Sequence, residues 1–511
     1  MKRVLLFVAI CALLLAACAD EPAPLGFPPE LREIVEANRA IALPPLHPNF
    51  EEISSGLLTS NADAETDARI SRLINLRSLR PPVGLPSSRA VTAPISPDAR
   101  LSHEEITEDL AFLFDLLPLV WGAYGYFGGD EVFLPLRESM LAQLASMSDP
   151  LSVESFLEDL IVPRFHSVAR DNHFQIHNVT FVAPEHDLFM SEDYVLRRGE
   201  EGFVVEIDGI TYIALGTELP DGSPVEGVVP TLAPDGELVW AFGIADENGF
   251  HPLRFRTAER RASREIVALL ANSATGERVS RAVSLSMLVS NILPEPPAPF
   301  DMEGVAFLEG RSMLDPYKEP LLRGAWDMRD SPVLILDIRG IGGGASIGKQ
   351  WVRGYAGREP AGGHSFVEFQ RGSAAALSAG GARGPMVGNR PGWIRLDPLD
   401  PERASIPNEN LLIVLTDWFA SSGGDELVGH LRQLENVLFI GANTHGNLLS
   451  GGIGRTMLPR SRLDVIFGMY LNLRPDLSQF EGVGFMPDLW VHPDYALERT
   501  LAFIERYGLA R

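Results

Sequence analysis

Residues 411 to 431 read LLIVLTDWFASSGGDELVGHL: an apolar run of strand type, a tight turn carrying Ser421 and Ser422, and acidic residues opening an apolar helix. A serine at a helix N-terminus sits at the positive end of the macrodipole, which favours an alkoxide or an oxyanion. The N–H of Gly423 faces the same space. Either serine fits this use, and an ordinary N-cap produces the same pattern without chemistry. A second turn, Gly340 to Ala345, follows the apolar run VLILDIR and holds Gly342, Gly343 and Gly344. Its G-x-G-x-x-A form matches a dinucleotide fingerprint, but the strand ends in Asp337 and Arg339, and a Rossmann unit opens its domain near the start. The competing use is a row of backbone N–H groups pointing outward, able to hold a developing oxyanion. No cofactor is expected.

Four blocks, SPVLILDIRGIGGG, LTDWFASSGGDEL, FIGANTHGN and EGVGFMPDLWV, occur in the order and spacing of the tail-specific, C-terminal-processing serine peptidases, and over residues 300 to 495 the chain resembles that family. The resemblance makes Ser422 the nucleophile, with Ser421 its neighbour in register, and places the oxyanion hole at Gly423 and Gly342 to Gly344. It also puts Asn447 where many members carry the lysine base. Asparagine does not titrate at neutral pH and cannot take the serine proton. Ile341 stands where the family has asparagine in the glycine turn, a change that backbone oxyanion donors tolerate. Lysine-lacking members resemble this chain in another respect, using a histidine from the N-terminal subdomain. Here that is His173 in ARDNHFQIH, with Asp171 placed to orient it. A neutral imidazole is a competent base near pH 7, and His445 is the alternate. His166, His173 and His177 lack the spacing of a common zinc site, so no metal is expected.

These residues need elements to hold them. Residues 101–185 show helical periodicity, opening at LSHEEITEDLAFLFDLLPLVW, where Ser102 and Glu105 have the spacing of a capping box. Residues 186–295 alternate short apolar runs with Gly, Asp and Pro turns, as a small β-rich module does. Residues 296–511 alternate strands and helices. The resemblance implies an α/β fold with a crotonase- or Clp-protease-like ββα core, an N-terminal helical cap subdomain and the β module inserted between them.

At the start, MKRVLLFVAICALLLAAC has the charged, apolar and small-residue regions of a signal peptide over residues 1–17. Its LAAC ending resembles a bacterial lipobox, which makes Cys18 a lipidation site. Residues 18–100, rich in Pro, Ala and Ser, then read as a tether with one short helix near Leu31 to Asn38. The chain has two cysteines, Cys11 and Cys18, and loss of the leader leaves no disulfide framework. A formal charge of -25 repels phosphate backbones and argues against nucleic acid. The sequence thus points to a lipid-anchored envelope serine hydrolase, a peptidase acting on polypeptide from the periplasmic or external side of a membrane. Two other readings fit: a catalytically silent binding lipoprotein of the same fold, and an α/β-hydrolase-type esterase drawing on Asp488 and His492.

Overall fold

The structure, a computed structural model, describes residues 28–40, 64–77, 96–181, 186–200, 202–219, 224–225, 227–246, 249–256, 264–289, 302–358, 367–370, 373, 375–376, 393–396, 406–472 and 481–510. The leader and Cys18 lie outside the described residues. The stretch read as a tether carries two helices, α1 (Pro29–Ala40) and α2 (Ala64–Arg77). Leu31, Ile34 and Val35 of α1 pack against the parallel sheet, and Ile70 and Ile74 of α2 against the cap. Each set repeats at the i, i+3 or i+4 spacing of one helix face, a signal that overall Pro and Ala content conceals.

The cap begins with α3 (His103–Val120). Ser102 Oγ accepts the Glu105 N–H at 3.2 Å and Glu105 accepts the Ser102 N–H at 2.9 Å, the reciprocal capping box its spacing calls for. After α4 (Gly129–Leu144), residues Val153 to Phe165 run as a short α-helix, a π-helical turn and a second short α-helix. The chain then leaves helix for an antiparallel pair, β1 (Asp171–Ile176) and β2 (Val179–Phe181). The histidine read as lying just past the helices is therefore on a strand. Between His186 and Met287 follow, among the described residues, a ten-stranded antiparallel sheet and a separate two-stranded pair, with a core around Phe189, Val205, Ile266 and Val283.

The last part is the mixed α/β unit the sequence calls for. Strands β3 (Val305–Glu309), β4 (Val333–Asp337), β5 (Leu411–Thr416) and β6 (Val437–Gly441) are interleaved with helices α5 (Lys318–Asp327), α6 (Gly348–Ala356) and α7 (Gly423–Leu431). The hairpin β7 (Ser450–Met457) and β8 (Asp464–Asn472) comes next, then β9 (Leu489–Trp490) and α8 (Ala496–Tyr507). One parallel sheet has the order β3-β4-β5-β6-β9. Every residue of β4, β5 and β6 is buried, because helices cover both faces. Leu334, Leu336, Leu412 and Val414 meet α5, α6 and α7 on one side; Val333, Ile335, Leu411 and Ile413 meet α8 and α1 on the other. The alternation is that of a pleated strand.

The β7–β8 hairpin leaves this unit and joins the cap. β8 pairs antiparallel with β1 through Val465–Ile176 and Ile466–Gln175, and Val465, Phe467 and Leu471 enter the aromatic core of the cap. The Gly122 N–H at the end of α3 donates to the Gly468 carbonyl at 2.9 Å. The cap is thus a helix-and-sheet body whose sheet is contributed by segments before and after the β-rich module.

Candidate active site

The site is built from four segments, each fixed by a buried carboxylate that accepts backbone N–H groups. The first is the turn after β5. Asp417 Oδ1 accepts the N–H of Phe419 and of Ala420, each at 3.1 Å, which folds the chain back at once. The turn ends at Ser422 with φ 53° and ψ −106°, outside the basins open to a residue with a side chain. Such a conformation costs about 1–3 kcal/mol and persists only where its surroundings impose it. Here the Ser422 N–H is held at 2.7 Å by Asp425 Oδ2, one turn along α7. The outcome is a hydroxyl thrown clear of the helix it opens, as in a strand-turn-helix nucleophile elbow.

The second segment is the glycine turn after β4. Gly340 donates its N–H to Asp417 Oδ1 at 2.9 Å, and Gly342 donates to the Phe419 carbonyl at 3.1 Å. The glycine turn and the serine turn are therefore stitched together. Gly343 shows why a side chain is excluded: a Cβ there would lie 3.0 Å from Ser422 Cβ and 3.4 Å from its Oγ. One expectation is corrected by the same geometry. Gly342, expected as an oxyanion donor, spends its single N–H on the Phe419 carbonyl. Gly343 packs against Ser422, and Gly423 against Gly344. Ile341 is buried among the core residues under the sheet.

The third segment is the loop after β6. Asp425 also accepts the N–H of Gly446 at 2.9 Å and of Asn447 at 3.0 Å, so one carboxylate ties this loop to the nucleophile turn. Asn447 Oδ1 is buried without a hydrogen-bond partner among the described residues. His445 turns its ring onto Trp418, with centroids 4.5 Å apart. Burial lowers the His445 pKa to about 4, with the neighbouring His173 adding to the effect.

The fourth segment is β1, and it crosses from the cap. Its register against β2 shifts between Asp171 and Gln175, a bulge that takes His173 out of the ladder. Asp171 Oδ1 accepts the His173 N–H at 2.9 Å, and Glu481 Oε1 accepts the Asn172 N–H at 2.7 Å. So held, His173 Nε2 stands 3.1 Å from Ser422 Oγ, across 249 residues of sequence. Of the doubled serine, it is the hydroxyl of Ser422 that meets an imidazole; Ser421 gives its carbonyl to the Gly424 N–H at 2.8 Å.

Asp171 does not reach the imidazole. Its oxygens are taken by the His173 N–H, by Ser450 Oγ at 2.7 Å and by Trp121 Nε1 at 2.8 Å. His173 Nδ1 is buried without a partner among the described residues. Burial lowers the His173 pKa from its ordinary value, and the charge of Asp171 pulls it partly back. The imidazole is thus neutral at physiological pH, as a base must be.

Three of the carboxylates were not singled out from sequence. Asp417 and Asp425 are each raised by burial to about 6. Glu481 is raised well above the usual carboxyl value by burial and by Asp171, and its second oxygen accepts the Leu448 and Leu449 N–H at 2.9 and 2.8 Å. Signals existed for two of them. Asp425 stands three residues after Ser422, as in a capping box, and Glu481 opens the EGVGFMPD block. The esterase residues are occupied elsewhere. Asp488 Oδ2 accepts the Phe439 N–H at 2.8 Å, and the His492 ring caps the turn that begins at Pro493.

No family model matches the chain, and no curated protein matches it. Among solved structures it is similar to mature CPAF, at a TM-score of 0.36 and 13% identity, over 80% of this chain and 96% of that one. The photosystem II D1 C-terminal processing protease gives 0.33 and 13%, over 79% and 97%. The tricorn protease gives 0.32 and 14%, over 80% of this chain and 37% of that one. Likeness of this depth carries nothing about chemistry, which is left to the four segments and their contacts.

Proposed function

We propose that this chain is a serine peptidase that cleaves polypeptide through an acyl-enzyme, with Ser422 as nucleophile and His173 as general base. The observation that carries the reading is the 3.1 Å contact between His173 Nε2 and Ser422 Oγ, made by a strained serine at a helix N-terminus and a histidine on a bulge of the cap. Strain of this kind needs a reason, and aiming a hydroxyl at a neutral base supplies one.

In this mechanism Ser422 Oγ attacks the carbonyl carbon of the scissile amide as its proton passes to His173 Nε2. The carbonyl oxygen becomes an oxyanion beside the N–H groups of Gly343 and Gly423, at the positive end of α7. The imidazolium then protonates the departing amine. Water, deprotonated by the same imidazole, attacks the ester, and the imidazolium returns that proton to Ser422 Oγ as the new carboxyl group departs. Asp171 and Glu481 hold the base strand through its backbone, and Asn447 takes no proton. The four sequence blocks support the tail-specific peptidase family as the setting for this chemistry. The LAAC ending supports anchoring through a lipid on Cys18, with the enzyme facing the periplasm or exterior of a bacterial envelope.

The test is labelling by a fluorophosphonate and hydrolysis of casein. Ser422→Ala and His173→Ala should each lower hydrolysis by about a thousandfold or more, and the double variant should be no worse than either, because the pair acts as a unit. A wild-type chain that is folded yet neither labels nor cleaves would leave a silent binding protein of the same fold. The anchor is tested separately: Cys18→Ala should abolish incorporation of radiolabelled palmitate and release the chain from the membrane fraction.

A further inference from the structure

Asp417 touches neither the base nor any atom of Ser422, yet its position relates the two turns between which a reacting carbonyl must lie. One oxygen, Oδ1, receives three N–H groups: Gly340 at 2.9 Å from the glycine turn, and Phe419 and Ala420 at 3.1 Å each from the serine turn. The only other tie of this kind among the described residues is the Gly342 N–H to Phe419 carbonyl bond at 3.1 Å, which depends on the same fold-back at Phe419. Just beyond that stitch, Gly343 and Gly423 bracket Ser422. The second oxygen, Oδ2, is buried with no hydrogen-bond partner among the described residues. The charge of Arg339 acts on Asp417 from nearby, but its guanidinium hydrogen-bonds to Asp337 and to the Pro493 carbonyl. A buried carboxylate with one saturated and one orphaned oxygen is a costly way to make a turn. Its distinctive product is a fixed relation between the glycine turn and the serine turn.

We propose that Asp417 is the positioning residue of the oxyanion hole: through Oδ1 it sets the separation of the Gly343 and Gly423 N–H groups. It acts through the backbone and stabilises the transition state without meeting substrate. This rests on the Ser422–His173 reading above. A donor displaced by a fraction of an ångström still permits substrate to bind, but forfeits much of the rate that a preorganised hole provides. The signature is a loss in the chemical step with substrate binding preserved.

The experiment uses the full-length chain and the kinetics of fluorophosphonate labelling, in which the phosphoryl oxygen occupies the oxyanion site while Ser422 Oγ displaces fluoride. Asp417→Ala should lower the maximal labelling rate by about ten- to a hundredfold, with half-saturation within about threefold of wild type. Asp417→Asn keeps one acceptor oxygen in place and should recover most of that loss. A folded Asp417→Ala chain labelling at the wild-type rate overturns the proposal. So does a loss that falls on half-saturation alone, or an asparagine variant no better than alanine. Should Asp417→Ala fail to fold, Asp417→Asn decides alone: charge-assisted bonds are about twice as strong as neutral ones, so its maximal rate should drop about three- to tenfold, and an unchanged rate overturns the idea. Absence of labelling in the wild type would instead remove the hydrolase reading itself.

Discussion

His173 is buried, and burial outweighs the pull of Asp171, so its pKa lies below that of a free imidazole. A base of lowered pKa stays neutral as pH falls through the ordinary histidine range. The acid limb of kcat/KM should accordingly begin below pH 6.5, and it should move lower still in Asp171→Asn, because the carboxylate is the group that favours the imidazolium. An unmoved acid limb in that variant would show that Asp171 does not act on the ring. Gly343 yields the second prediction at this scale. In Gly343→Ala the added Cβ must lie 3.0 Å from Ser422 Cβ or push it aside. Labelling should fall by about a hundredfold in a chain of near-native stability, since the displacement is local to the nucleophile. A wild-type rate would mean that the two turns slide past each other freely.

The element that matters most is the strand-turn-helix of β5 and α7, whose type was legible from LLIVLTDWFASSGGDELVGHL. Strand, doubled serine, glycines and acidic helix start are local features, and local sequence encodes them. The backbone strain at Ser422 was not legible, because φ 53° is imposed by Asp425 and by the packing of the glycine turn. Asp425→Ala tests this. It leaves the N–H groups of Ser422, Gly446 and Asn447 without their acceptor in a buried place, at a cost of about 1–3 kcal/mol or more. The midpoint of denaturant unfolding should fall, and labelling of the chain that remains folded should fall with it. The bulge in β1 was equally hidden: ARDNHFQIH suggests a turn after helices, and only pairing with β2 and β8 makes it a strand that ejects one residue. Gly342 shows the reverse, since a run of three glycines looks like three equal donors until one N–H finds the Phe419 carbonyl.

At the scale of the molecule, His173 belongs to the cap and Ser422 to the parallel unit, and the β7–β8 hairpin spans the two. Trp121 is part of that span. Its ring stacks on Phe174 with centroids 4.5 Å apart, and its Nε1 donates to the carboxylate of Asp171. Phe467 of β8 is fully buried in the same core. Phe467→Ala should destabilise the chain by about 3–5 kcal/mol, measured by denaturant titration, and should reduce labelling below the unfolding range, because His173 is registered to Ser422 through this sheet. Full labelling in a chain so destabilised would show that the base is positioned without the hairpin.

The resemblance of four blocks to a peptidase family is what singled out Ser422 and His173; the sequence by itself determined the α/β unit, the β-rich module, the capping box at Ser102 and both site turns. It could do so because periodicity, turn chemistry and helix-start signals are properties of neighbours along the chain. Only the tertiary structure decided that α1 and α2 pack on the body, that the C-terminal hairpin completes the cap, that Gly342 is spent and that buried acids space the site. Those outcomes depend on which backbone N–H groups are left without water once the segments meet, and residues hundreds of positions apart settle that together.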